Sequence, residues 1–451
     1  MISEIRSKLC KTYTKPGSPI PAIGKHKKIQ MDYIFYLISV FIAVYSIFCK
    51  YRVDIFMFSI WVSFLYLHPA FFGYCIFEQQ KYPIEPCLYL IYNIFLLTMF
   101  LCHLCNNFVI LPQLLKNNLL LSCTKSVAKE KNKIFGIYNF IYLFTTALCL
   151  FSIRNSIFAN KTATTLTAYT KPLFILFSYH SIPYLMLSIK NRKKTGIILG
   201  TIIHIIIFIK GYRSFFIIFI LSCLFTKLNF QKINFKTKIY SFIPLLLVSM
   251  FGLLGKRVYY ALQYIILRGD SAALLLSVLT KDNLISEIFS NEAFTQMGIL
   301  NLTVKHNITL PLSYIMTFIY KSFFVEGVLI RSEKFYDVFL KETNTYVEYG
   351  RGIAYNIFSE PYAMLGLLGV FLFTLTLAGV YFWLQKAVCL PNKNKLAESI
   401  FYTLTGYLTF YIHRNSINNL ILFTQIYIGF YLLCKFLSGS LSIKKRLFFI
   451  S

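Results

Sequence analysis

The sequence predicts an all-α polytopic membrane protein of about eleven transmembrane helices (ten to twelve), with one long extracytoplasmic loop. Three observations predict it. Hydrophobic residues make up 57% of the chain and charged residues only 14%. Apolar runs of about 20 residues recur, and each is long enough as a helix to cross roughly 30 Å of hydrocarbon. Between the runs lie clusters of lysine, whose side sets orientation under the positive-inside rule. A β-barrel is excluded, because its spans alternate in polarity and are only about 10 residues long.

In chain order, residues 1–30 form a basic extension with Lys8, Lys11, Lys15, Lys25, Lys27 and Lys28. An N-terminal membrane bundle of about eight spans follows over 31–255, with spans expected at 31–49, 54–77, 87–112, 134–153, 172–189, 195–209, 212–228 and 239–255. Residues 256–361 form the long outer loop. A C-terminal bundle over 362–451 holds about three spans, at 362–385, 398–412 and 416–437. The clusters KNRKK (190–194), KLNFQKINFKTK (227–238), PNKNK (391–395), IKKR (443–446) and the 116–133 stretch all fall on the cytoplasmic side when the spans alternate. The connections 154–171, 210–213, 256–361 and 413–415 then fall outside. The extension 1–30 also falls outside, against the rule; one further span, or a start at Met31, would remove the conflict.

The net charge of +29 comes from 46 Lys+Arg against 17 Asp+Glu. It belongs mostly to these cytoplasmic clusters rather than to a polyanionic partner such as nucleic acid. The stretch 256–361 has no cysteine, so it is no disulfide-stapled ectodomain. Its interrupted apolar segments are expected to lie on the membrane surface or to lid a cavity. Cys102-His103-Leu104-Cys105 lacks a second ligand pair and the order of a haem site, and no metal or other cofactor is expected. His103, His180 and His204 lie in spans and are expected to be hydrogen-bonded bundle residues. There is no P-loop, no Asp-x-Asp pair, no HExxH and no GxSxG.

Three places on the outer side carry candidate chemistry. Lys210 and Arg213 interrupt about 30 apolar residues at a tight connection; a cation there either snorkels to the interface or faces a polar cavity. In GRGIAYNIFSEPYAMLGLLG (350–369), Arg351 lies between glycines, and Glu360-Pro361 precedes an apolar run. An acid followed by proline suits the start of a helix. It would also place a carboxylate at the membrane rim, within reach of a sugar hydroxyl. His413 and Arg414 occupy a third short connection.

The chain resembles the Wzy-type O-antigen and capsule polymerases, the oligosaccharide repeat-unit polymerase family. The opening spans MDYIFYLISVFIAVYSIFCKYRVDIFMFSIWVSFLYL are similar to that family's first two spans with their short basic loop. GYRSFFIIFIL is similar to its Gly-x-Arg-Ser stretch. Glu360, Tyr362, Gly366 and Gly369 match its Glu-x-Tyr and the Gly-x-x-Gly that follows. Pro361, where a variable residue is expected, and the extension 1–30 depart from the pattern. The resemblance implies a GT-C-like fold in the bacterial inner membrane and a polyprenyl-diphosphate-linked oligosaccharide substrate among membrane lipids. A polysaccharide chain-length regulator is the implied partner. Glu360, Arg213 and Arg351 would be catalytic. Arg414, His413, Tyr355, Asn356, Tyr362 and Lys210 would bind substrate. An O-antigen ligase is the nearest alternative, but a ligase is expected to carry a histidine where Tyr355-Asn356 stands. A lipid-linked oligosaccharide flippase is the other; no internal repeat supports it.

Overall fold

The computed structural model describes residues 25–77, 84–110, 128–154, 170–209, 214–229, 292–311, 335–343, 356–389, 395–412 and 417–448, with scattered positions at 112, 212, 231–243 and 314–316. The described chain is helical: α1 (Lys25–Phe48), α2 (Ile55–Phe77), α3 (Pro86–Cys105, continued by a π turn, Asn106–Ile110), α4 (Ala128–Ile153), α5 (Thr170–Lys190), α6 (Lys194–Ile209), α7 (Ser214–Leu228), α8 (Glu292–Lys305), α9 (Phe335–Thr343), α10 (Ser359–Cys389), α11 (Lys395–Tyr411) and α12 (Ile417–Phe448). Among the described residues, extended pairing amounts to an isolated bridge between Val53 and Asn229.

Among the described residues, six helices are long and apolar enough to cross a membrane: Met31–Phe48, Pro86–Ile110, Ile134–Ile153, Leu173–Lys190, Ser359–Val388 and Asn419–Ser438. Ile55–Leu65, α6 and α7 are shorter apolar helices. The protein is thus an all-α, multi-pass membrane protein. Of the expected spans, 239–255 lies largely outside the described residues, as do 1–24 and much of 256–361. Large apolar side chains of α1, α4 and α10, such as Leu37, Phe41, Phe140, Phe144, Leu368 and Phe371, stay exposed. Those faces suit the bilayer, whose lipid is as apolar as they are.

α11 is the most enclosed element. It packs against α7, α5, α12, α10 and α2, and nearly every residue from Leu396 to Phe410 is buried. Its sequence, KLAESIFYTLTGYLTFY, is too polar to qualify as an apolar span. The hydroxyls resolve this by bonding back along the helix. Ser399, Thr403, Thr405 and Thr409 each donate to the carbonyl four residues earlier, at 2.8–3.0 Å. Polar groups that satisfy themselves within the helix need no water. Gly406 sets the approach of α7: a Cβ there would overlap Ser222 Oγ and sit 2.9 Å from the Ile218 carbonyl oxygen.

α5 contains Pro183, which has no N–H for the Tyr179 carbonyl. Tyr427 Oη of α12 donates to that carbonyl instead, at 3.0 Å. Tyr138 and Tyr142 of α4 donate to the His180 and Phe177 carbonyls, both at 3.2 Å. The weak point of α5 is therefore where its two neighbours are registered.

Helix ends sort into two faces, as the alternation of spans expects. On one, Lys238 Nζ donates to the carbonyls of Ile47 and Cys49 at the end of α1, and partial burial pulls its ammonium below the usual lysine value. There too Val53 N–H reaches Gln231, and Gln385 of α10 joins the start of α2 to Asn229. Lys190 pairs with Glu398, and Lys395 donates to Asn191. This face carries the basic connections. The other gathers Glu85, Asn301, Asn356, Glu360 and Ile417.

Gly406→Leu is expected to lower stability by about 1–3 kcal/mol, the usual range for overpacking. Gly429→Leu, with open space around its Cβ position, should change it little. Thermal unfolding in detergent compares the two.

Candidate functional site

The site expected at the rim is built on the first turns of α10. Asn356 folds the entry: its Oδ1 accepts the Phe358 N–H at 3.0 Å, and its carbonyl accepts the Ser359 N–H at 3.0 Å. Its Nδ2 donates to Tyr92 Oη of α3 at 2.7 Å. Phe358 packs against Tyr92 and Phe95. The entry to α10 is thereby fixed to α3.

Glu360 follows, and it is 2% exposed. Its Oε2 accepts the Ile417 N–H, the first of α12, at 3.0 Å. A carboxylate is favoured there by an orphan amide and by the positive end of the helix dipole. The sequence reading had Glu360 capping its own helix with Pro361 in the first position. Instead α10 begins at Ser359, and Glu360 caps a different helix, 57 residues onward. Beside it Ser359 Oγ is buried and makes no hydrogen bond among the described residues. Tyr362 is half-buried, with its Oη 3.8 Å from Cys87 Sγ.

Gly366 and Gly369 shape this turn. Gly366 adopts φ 62° and ψ −143°, breaking α10 into two helices across a kink. That region of backbone space is essentially restricted to glycine. A Cβ on Gly369 would overlap the Pro361 carbonyl oxygen, so the short leading helix lies directly against the second. The outer segment rests on the same turn. Leu310 N–H donates to the Ala363 carbonyl at 2.8 Å. Ala363 and Met364 form a separate hydrophobic cluster with Ile299, Ile308, Leu310, Tyr314, Phe335 and Phe339. The apolar segments of 256–361 expected to lie on the membrane surface or to lid a cavity fall largely outside the described residues; α8 and α9 sit beside the α10 turn.

Lys210, Arg213, Arg351, Tyr355, His413 and Arg414 lie outside the described residues. Their flanking residues are described. Tyr212 and Phe215 bracket position 213, and Tyr212 packs on Phe174 at 5.0 Å between centroids. Ile412 ends α11 fully buried, and Ile417 reaches Glu360. The structure therefore joins Glu360 to the α12 end of the connection that carries His413 and Arg414. Asn356, expected to bind substrate, has its amide engaged in shaping the turn.

A second polar centre, missed from sequence, lies at the basic face. Asp54 is fully buried. Its carboxylate accepts from Met57 N–H at 2.9 Å, faces His103 Nδ1 at 2.9 Å, and accepts from Asn106 Nδ2 at 2.8 Å and Asn107 Nδ2 at 3.2 Å. Asn107 also exchanges bonds with the Arg52 backbone. Tyr51 packs its edge on His103 at 5.0 Å. His103 is thus a hydrogen-bonded bundle residue as expected, and Cys102 and Cys105 are free thiols. The sequence signal for this centre was a lone acid three residues before a helical amide, which is the N-cap pattern. His204 bonds the Gly200 carbonyl. His180 is enclosed by Tyr138, Tyr427 and Phe430.

Comparison of the chain with protein-family models, curated proteins and solved structures gives no match.

Two substitutions test these geometries. Gly366→Ala is expected to cost about 1–3 kcal/mol, because alanine strains at that backbone angle; Gly379→Ala is the open-space control. Asp54→Ala leaves buried donors unpaired and should cost about 3 kcal/mol or more. Both are read from unfolding in detergent.

Proposed function

We propose that this protein is a membrane glycosyltransferase that polymerises polyprenyl-diphosphate-linked oligosaccharide repeats into O-antigen or capsular polysaccharide on the outer face of a bacterial cytoplasmic membrane. The observation that carries the reading is the bond from Ile417 N–H to Glu360 Oε2. It ties a buried carboxylate to the connection that bears Arg414, three residues earlier in sequence. On this reading the rim opposite the basic connections faces outward, the chain crosses the membrane eleven times with 239–255 as one span, and the fold is GT-C-like.

The reaction breaks the bond between the anomeric carbon of the growing chain and its lipid diphosphate. A new bond forms from that carbon to a hydroxyl of the incoming repeat. Glu360 orients that hydroxyl and takes its proton. Arg213, Arg351 and Arg414 neutralise the departing polyprenyl diphosphate, since guanidinium stays charged and matches phosphate geometry. Lys210, His413, Tyr355 and Tyr362 contribute to substrate binding. A chain-length regulator is the partner this reading implies.

Glu360→Gln separates charge from capping, because the amide oxygen of glutamine still accepts the Ile417 N–H. Glu360→Gln and Arg213→Ala are expected to leave the protein folded in the membrane and to collapse surface polysaccharide from long chains to single repeats on a gel. Wild-type length distributions in both would sink the assignment.

A further inference from the structure

One aromatic cluster lies between the 212 and 412 connections. Tyr179 of α5 packs on Phe423 of α12 at 4.2 Å between centroids, on Phe215 of α7 at 4.8 Å and on Tyr407 of α11 at 6.2 Å. Tyr212, just before α7, packs on Phe215 and Phe174. Tyr411, at the end of α11, packs on Tyr407 at 4.6 Å and on Phe423 at 6.4 Å. The cluster therefore runs from the 212 connection to the 412 connection. Tyr179 lies one to two helical turns beneath both.

One of its hydroxyls, that of Tyr179, stands apart. Tyr427 Oη is engaged with the Tyr179 carbonyl. Tyr179 Oη makes no hydrogen bond among the described residues. Tyr179, Tyr212 and Tyr411 are each only half-buried. Aromatic rings that also carry hydroxyls match a ligand whose body is an apolar-faced ring and whose edge is a ring of hydroxyls. A pyranose has that chemistry. A polyprenyl chain has no group for the phenols.

We propose that Tyr179, Tyr212 and Tyr411 form a subsite for a sugar ring of the lipid-linked substrate, with the Tyr179 hydroxyl bonding a sugar hydroxyl. This rests on the polymerase reading above and adds to it the place where the saccharide, rather than the diphosphate, is held. Tyr179→Phe keeps the ring and its packing and removes only that bond.

The test is titration calorimetry on the full chain in detergent with two probes, a polyprenyl diphosphate and the same lipid carrying one N-acetylglucosamine. Wild type is expected to bind the sugar-bearing probe about tenfold more tightly, and Tyr179→Phe to remove that preference while keeping affinity for the bare diphosphate. Tyr411→Phe, at the rim, should reduce the preference in the same direction. Equal affinity of wild type for the two probes overturns the subsite and leaves the polymerase reading standing. So does a preference that persists in both variants. Failure of wild type to bind either probe overturns both readings.

Discussion

The structure depends on how α11 is buried. A helix enclosed by α7, α5, α12, α10 and α2 has no water to take up its polar atoms, and every unsatisfied group in such surroundings is costly. Serine and threonine hydroxyls turned onto their own helix remove that cost. Gly406 then lets α7 approach as closely as its Ser222 allows. Without side-chain bulk at this crossing, dispersion contacts between the helices are maximal, which is the main source of association where lipid competes equally for apolar surface. The ends of α11 carry this order to both faces, through Glu398 with Lys190 at one and Tyr411 at the other.

The rim opposite the basic connections follows from the same economy of polar groups. A carboxylate that is 2% exposed needs donors. The first amide of α12 supplies one, so the position of Glu360 and the start of α12 are a single constraint. The kink at Gly366 makes this geometry accessible by setting the leading turns of α10 apart from the rest. The outer segment then gains a carbonyl to bond at Ala363. A residue placed by α3, α12 and the outer segment together is held rigidly, as a group acting on a substrate must be.

At the basic face, Asp54 does comparable work for the first three helices. One carboxylate gathers the start of α2 and the end of α3, and Lys238 closes the end of α1 nearby. Each face is thus organised by one buried acid that accepts a helix N–H. The difference is in surroundings. Asp54 is ringed by His103, Asn106 and Asn107, whereas Glu360 accepts the first amide of α12, three residues after Arg414 in sequence.

Much of the architecture was legible in the sequence, because membrane spans are written locally as length and apolarity. The spans around α1, α3, α4, α5, α10 and α12 follow from that rule alone. The candidate residues Glu360, Gly366 and Gly369 were visible as a pattern. What the sequence by itself could not determine are relations between distant segments. It did not show that the polar α11 is the central helix, since hydropathy counts hydroxyls as cost and cannot see them bond backward. It did not show that Glu360 caps α12, that Tyr427 completes the proline break in α5, or that Asp54 meets His103. Those pairings decide which polar groups are satisfied, and in a medium without water only the tertiary structure brings the partners together.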